Sequence, residues 1–284
     1  MHTLLIQPRQ LQALQAAGEP VLVFDCSSDL MNPGAGRQQF LERHLPGARH
    51  AHLDQDLSAH HGPAVNGGRH PLPPRERFAA WLASQGLHAG QQVVVYDRNG
   101  VNYCGRLWWM LKWVGHEAVA VLDGGLQAWE QDGLPLESGP TPDPAPGDFQ
   151  LGPALRVLTD ADTVLRQLGR PEQTLIDARA GARFRGETEP LDPVAGHIPG
   201  ALNRPFPSNL DASGRFKAPE VLRAEFDALL AGRDPAGVVH HCGSGVSAVP
   251  NILAMEIAGL GTTALFAGSW SEWCSDPTRP FAQG

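Results

Sequence analysis

The chain has 284 residues, 42% hydrophobic and 18% charged, with 22 basic against 30 acidic side chains for a formal charge of −8. This composition describes a folded globular chain long enough for two domains, and it excludes a disordered polymer and a basic nucleic-acid surface. No apolar run reaches membrane-spanning length, and the four cysteines at 26, 104, 242 and 274 form no CxxC pair, which argues against a zinc cluster or a disulfide framework.

Taken in chain order, Met1–Arg9 lacks the long apolar stretch and small-residue cleavage site of a secretion signal, so a reducing, cytoplasmic setting is expected. Val21-Leu22-Val23-Phe24-Asp25 reads as a buried parallel strand and is followed by His44-Leu45-Pro46-Gly47-Ala48. Val93-Val94-Val95-Tyr96-Asp97 is the next strand; it runs into Arg98-Asn99-Gly100-Val101 and an amphipathic helix. Ala118–Leu122 closes this half before Asp123-Gly124-Gly125. The run Gly139-Pro140-Thr141-Pro142-Asp143-Pro144-Ala145-Pro146-Gly147 is too rich in proline for a helix or a central strand, and reads as an extended, semi-rigid linker.

The second half repeats the first. Thr174-Leu175-Ile176-Asp177 is followed by His197-Ile198-Pro199-Gly200-Ala201. The Asp-to-His spacing is 19 residues in the first copy and 20 in the second. Gly237-Val238-Val239-His240-His241 matches the strand before Asp97, and Thr263-Ala264-Leu265-Phe266 matches Ala118–Leu122. His240 and His241 alternate on a strand, so one is expected to face inward and the other solvent or the opposite layer. Strands alternating with helical stretches define an α/β chain of two tandem domains, each an open, mainly parallel sheet with helices on both faces. The expected division is 1–139, a linker over 140–152, and 153–284.

Cys242 is expected to carry the chemistry. The run Cys242-Gly243-Ser244-Gly245-Val246-Ser247 ends a strand and opens a helix marked by Val249, Ile252, Leu253, Ile257 and Leu260. Backbone N–H groups at such a junction stabilise an anion held on sulfur. Gly243 and Gly245 are expected to reach positive φ and curl the loop around it. Pro250 falls in the first helical turn, where its missing N–H is tolerated. In the first copy Asp97 stands at the cysteine position, and a carboxylate cannot act as a sulfur nucleophile. That half is expected to be catalytically silent.

These residues resemble the tandem-domain rhodanese family of sulfurtransferases, in particular its 3-mercaptopyruvate branch. The resemblance rests on the paired His-x-Pro-Gly-Ala segments, Leu122-Asp123-Gly124-Gly125, Asp177-Ala178-Arg179, Arg183-Phe184-Arg185-Gly186-Glu187, the Cys242 loop, and Gly268-Ser269-Trp270-Ser271-Glu272-Trp273. It implies a Cys242 persulfide charged by a small-molecule sulfur donor and discharged to a thiol, a thioredoxin-like protein or cyanide. No metal, organic cofactor, nucleic acid or membrane is implied. Neutral Gly243 and Ser244 follow the cysteine as in the mercaptopyruvate branch, whereas thiosulfate enzymes carry basic residues there.

The same resemblance implies a Ser244, His70 and Asp56 proton relay, with donor contacts from Arg183 and the loop residues Gly243, Gly245, Val246 and Ser247. Asp192 lies where that branch carries a second arginine, which leaves Arg185, Arg69 or Arg98 to replace it and thiosulfate as an alternative donor. Two other classes compete. A cysteine-dependent phosphatase or arsenate reductase needs an arginine six positions after the cysteine, where this chain has Ala248. A non-catalytic rhodanese module acting as a sulfur carrier or interaction domain is the third reading.

Overall fold

Each apolar run named above forms a parallel strand, and each half closes into its own five-stranded sheet. The computed structural model describes residues 1–284 and divides into two units. The first contains β1 (Leu5–Ile6), α1 (Pro8–Ala16), β2 (Val21–Asp25), α2 (Ala35–Glu42), β3 (Arg49–His50), α3 (Arg75–Ser84), β4 (Gln92–Tyr96), α4 (Cys104–Trp113), β5 (Val119–Leu122) and α5 (Gly125–Gln131). The second contains β6 (Val157–Thr159), α6 (Ala161–Arg166), β7 (Thr174–Asp177), α7 (Gly181–Phe184), β8 (Leu202–Asn203), α8 (Pro219–Leu230), β9 (Val238–His241), α9 (Val249–Ile257), β10 (Ala264–Phe266) and α10 (Ser269–Trp273). The strand orders are β1-β5-β4-β2-β3 and β6-β10-β9-β7-β8, every pairing parallel, so the two sheets share one topology.

Both faces of each sheet are covered, which is why the central strands are continuously apolar and not alternating. Helix α4 is buried along its whole length, with Trp108 and Trp109 in the core. His240 and His241 are both fully buried, so neither faces solvent; the opposite layer takes the second ring. Burial lowers the pKa of His240 to about 3, which keeps that ring neutral, and also lowers that of His241 against the opposing charge of Asp177. No helix is long and apolar enough to cross a membrane.

Two segments depart from linear order. Ala64–Leu72 belongs to the second unit and Leu210–Phe216 to the first. Gly67 and Gly68 account for the first exchange: a Cβ on Gly68 would lie 2.6 Å from Gly268 O and 2.7 Å from Ser271 Oγ, so only a bare backbone lies this close to α10. The second is held by Asp123, whose carboxylate accepts the Phe216 N–H at 2.9 Å. The stretch read as a linker is extended, but its end is laid onto the first unit. There the N–H groups of Gly147, Phe149 and Gly152 donate to Ala83, Leu87 and Val114 carbonyls.

The histidines of the repeated His-x-Pro-Gly-Ala segments hold the two units in the same way. His44 Nδ1 and His197 Nδ1 each sit 2.8 Å from a carbonyl, of Phe40 and Phe184, and each ring stacks on that same phenylalanine. Each also exchanges main-chain hydrogen bonds, with Glu137 and Ala282 respectively.

Candidate active site

Cys242 is the first residue beyond β9, and main-chain hydrogen bonds pin it from below. The Ala178 N–H donates to His241 O, Trp270 N–H to Cys242 O, and Ser271 N–H to Gly243 O, at 2.9, 3.0 and 2.9 Å. The Cys242 N–H donates to Ser269 Oγ at 3.1 Å. Above this base the Gly245 N–H donates to Cys242 Sγ at 3.2 Å. Gly245 has φ +74°, and a Cβ on it would lie 2.1 Å from Ala267 O, so glycine is required both for conformation and for space.

Two expectations about the loop change here. Gly243 does not adopt positive φ; its missing side chain instead makes room for arginine, since a Cβ there would meet Arg69 Nη2 at 2.8 Å and both Arg183 Nη atoms at 3.6 Å. Regular helix begins only at Val249, so a turn over 243–248 separates the sulfur from α9, with Pro250 in the first helical turn as expected. The turn's own amide, that of Gly245, meets the sulfur.

Carboxylates orient the guanidinium groups. Arg183 donates to Glu189 from Nη2 and Nε at 2.6 and 3.2 Å, and its Nη2 lies 3.4 Å from Asp192 Oδ2. Arg69 donates from Nη1 to Asp192 Oδ1, and its own N–H donates to Ser271 Oγ. Arg179 makes a two-pronged pair with Asp177, reaches Glu189 at 3.4 Å, and stacks over Trp270 at 4.8 Å. Burial works against charge on Glu189, but the Arg183 hydrogen bonds and the Leu191 and Asp192 N–H groups outweigh it and hold its carboxyl below the usual range. Asp177 is lowered in the same way, with burial opposed by His241 and Arg179.

Ser244 Oγ and His70 Nδ1 lie 2.7 Å apart, both side chains buried. Arg185 pairs with exposed Glu187. Arg98 belongs to the first unit, where it binds Asp25 and Ser27. Asp56 is also in the first unit; its carboxylate accepts the His52 N–H at 2.7 Å, and burial raises its pKa. Val246 is buried in the turn and Ser247 half-buried beside it. The sequence pattern gave no role to Glu189, nor to Ser269 and Ser271, which it offered only as part of the Gly268–Trp273 motif. The Glu/Asp pair spaced by three residues next to Arg183 was the available signal.

In the first unit the equivalent loop is already filled. The Asp97 carboxylate accepts N–H groups of Asn99 and Val101 on Oδ1, and of Tyr103 and Cys104 on Oδ2, at 2.8–3.0 Å. Cys26 and Cys104 nearby are fully buried, and burial pushes both thiols well up.

A sulfur cradled by a loop amide at the carboxyl end of a parallel strand, repeated in outline in a second unit, defines a two-domain α/β protein built around an anion loop. The family model for the rhodanese-like domain matches residues 7–132 and again 160–276, and the chain belongs to the rhodanese family. It is similar to a probable 3-mercaptopyruvate sulfurtransferase of Pseudomonas aeruginosa, 48% identical over 99% of this chain and 98% of that protein. A putative thiosulfate sulfurtransferase of Mycobacterium tuberculosis is 40% identical over 99% of this chain and 97% of its own length. Among solved structures, SseA from Escherichia coli, described as a 3-mercaptopyruvate sulfotransferase, is 30% identical, covers 95% of this chain and all of its own, and superposes with TM-score 0.79.

Proposed function

We propose that this chain is a sulfurtransferase that moves sulfane sulfur from 3-mercaptopyruvate to Cys242 and on to a thiol, a thioredoxin-like protein or cyanide, in a reducing cytoplasm. The Cys242 thiolate attacks the donor sulfur. The donor's C–S bond breaks, its electron pair passes to carbon as the enolate of pyruvate, and protonation releases pyruvate. An acceptor thiolate or cyanide then attacks the outer sulfur of the Cys242 persulfide and returns the thiolate.

The observation that carries this reading is the Gly245 N–H directed at Cys242 Sγ, in a loop whose Gly243 is overlooked by Arg69 and Arg183. A preorganised amide and two guanidiniums suit a carboxylate-bearing donor and an anionic persulfide. Arg69 takes the place of the second substrate arginine in this reading. The Ser244–His70 hydrogen bond supports a proton relay to the leaving enolate. Asp56 is proposed as its third member, and Asp56→Asn tests it by the change in kcat. The first domain is proposed to be a silent copy, because Asp97 both replaces the nucleophile and occupies its amides.

Mass spectrometry of the Cys242 peptide after incubation with 3-mercaptopyruvate tests the assignment. One added sulfur atom is expected on the wild-type peptide and none in a folded Cys242→Ser protein. Turnover surviving in Cys242→Ser would overturn it. Thiosulfate is the second reading, favoured by the 40% identity to a putative thiosulfate sulfurtransferase, and the ratio of kcat/KM for the two donors separates them.

A further inference from the structure

Every guanidinium beside the Cys242 loop is matched by a carboxylate: Arg179 by Asp177, Arg183 by Glu189, and Arg69 by Asp192. The acids lie behind the bases. The Asp192 and Glu189 side chains are each 3% exposed, against 27% for Arg69 and 19% for Arg183. Glu189 also accepts the N–H groups of Leu191 and Asp192, so it builds the turn that carries Asp192. Asp192 instead directs its carboxylate at the two guanidiniums that face Gly243, in hydrogen-bond contact with Arg69 and 3.4 Å from Arg183.

In so dry a location a carboxylate is poorly screened, and an anion at Gly243 experiences it along with the arginines. The two arginines therefore provide directed N–H donors while much of their net charge is cancelled. Such a site rewards hydrogen-bond geometry more than charge. It favours a donor carrying a single carboxylate over a dianion such as thiosulfate, which depends on uncompensated positive charge.

We propose that Asp192 is a specificity-determining residue that sets the preferred donor charge by neutralising the Arg69–Arg183 pair. The proposal rests on the donor chemistry given above and adds the group that discriminates between donors.

Asp192→Asn keeps the shape and removes the charge. Its kcat/KM for thiosulfate relative to 3-mercaptopyruvate is expected to rise about tenfold, the size of one elementary charge acting within ~8 Å through a partly hydrated medium. The change should lie mainly in thiosulfate KM, which should also become more sensitive to salt. Asp192→Glu should restore the wild-type ratio. Equal losses for both donors would show that Asp192 only props the arginines and would overturn the proposal, as would an unchanged ratio. Should Asp192→Asn fail to fold, Arg69→Gln provides the opposite perturbation and must lower the thiosulfate ratio further; no shift there refutes the charge argument. A wild-type protein that acquires no sulfur from either donor overturns the donor reading itself, whereas an active wild type with an unresponsive ratio overturns this inference alone.

Discussion

Asp97→Ala measures what the filled loop of the first unit contributes. Four main-chain N–H groups converge on a carboxylate that is 2% exposed. A hydrogen bond to a charged group contributes about 1.5–3 kcal/mol, and a buried amide left without an acceptor costs about 1–3 kcal/mol. The four share one group and are not additive, and water entering the vacated space recovers part of the loss. A net destabilisation of about 3–5 kcal/mol is expected. Asp97→Asn is isosteric, yet it turns an NH2 group toward one pair of amide donors, so about 2–3 kcal/mol is expected. Urea unfolding followed by tryptophan fluorescence is the assay, since Trp81, Trp108, Trp109, Trp113 and Trp129 all lie in the first unit. Formate or acetate should restore about 1 kcal/mol to Asp97→Ala at roughly five times its Kd, with wild type in the same salt as control. A loss below about 1 kcal/mol in Asp97→Ala, with no response to either anion, would refute the reasoning.

Gly245→Ala should destabilise the second unit by at least ~2 kcal/mol and abolish persulfide formation, because its Cβ would collide with Ala267 O at positive φ; denaturation and peptide mass spectrometry check both effects. Arg183→Ala should raise donor KM by about 10–100-fold with a smaller change in kcat, and unchanged donor kinetics would remove Arg183 from the site. His240 is buried neutral with its pKa lowered to about 3, so the unfolded chain binds the extra proton first. Stability should therefore fall as pH drops from the unfolded value near 6.5 toward 3, by up to ~1.4 kcal/mol per pH unit. Urea midpoints across that range should show a shallower slope in His240→Gln; an identical slope would reassign the acid sensitivity.

Much of the architecture was legible because a parallel sheet covered on both faces needs continuous apolar runs, and those are visible in one dimension. Cys242 was legible for a related reason: a strand end followed by glycines and an amphipathic helix is a local pattern. The repeated His-x-Pro-Gly-Ala segments were the clearest internal signal, yet His44 and His197 brace their own units by stacking on Phe40 and Phe184. A motif repeated in both halves reports the fold they share; the proposed chemistry is placed where the halves differ, at Asp97 and Cys242.

Local patterns in the chain determined two α/β units, their strand boundaries and the strand-end position of Cys242, because backbone propensity and hydrophobic periodicity act over a few neighbouring residues. The resemblance named Ser244 with His70 and offered Arg69, but only the tertiary structure decided how these side chains are partnered. Residues 64–72 are recruited into the second unit by the bare backbone of Gly67 and Gly68, and this brings Arg69 to Asp192 and His70 to Ser244 across more than 100 positions of sequence. Contacts of that kind depend on packing and on the pairing of buried charge, neither of which has a signature along the chain.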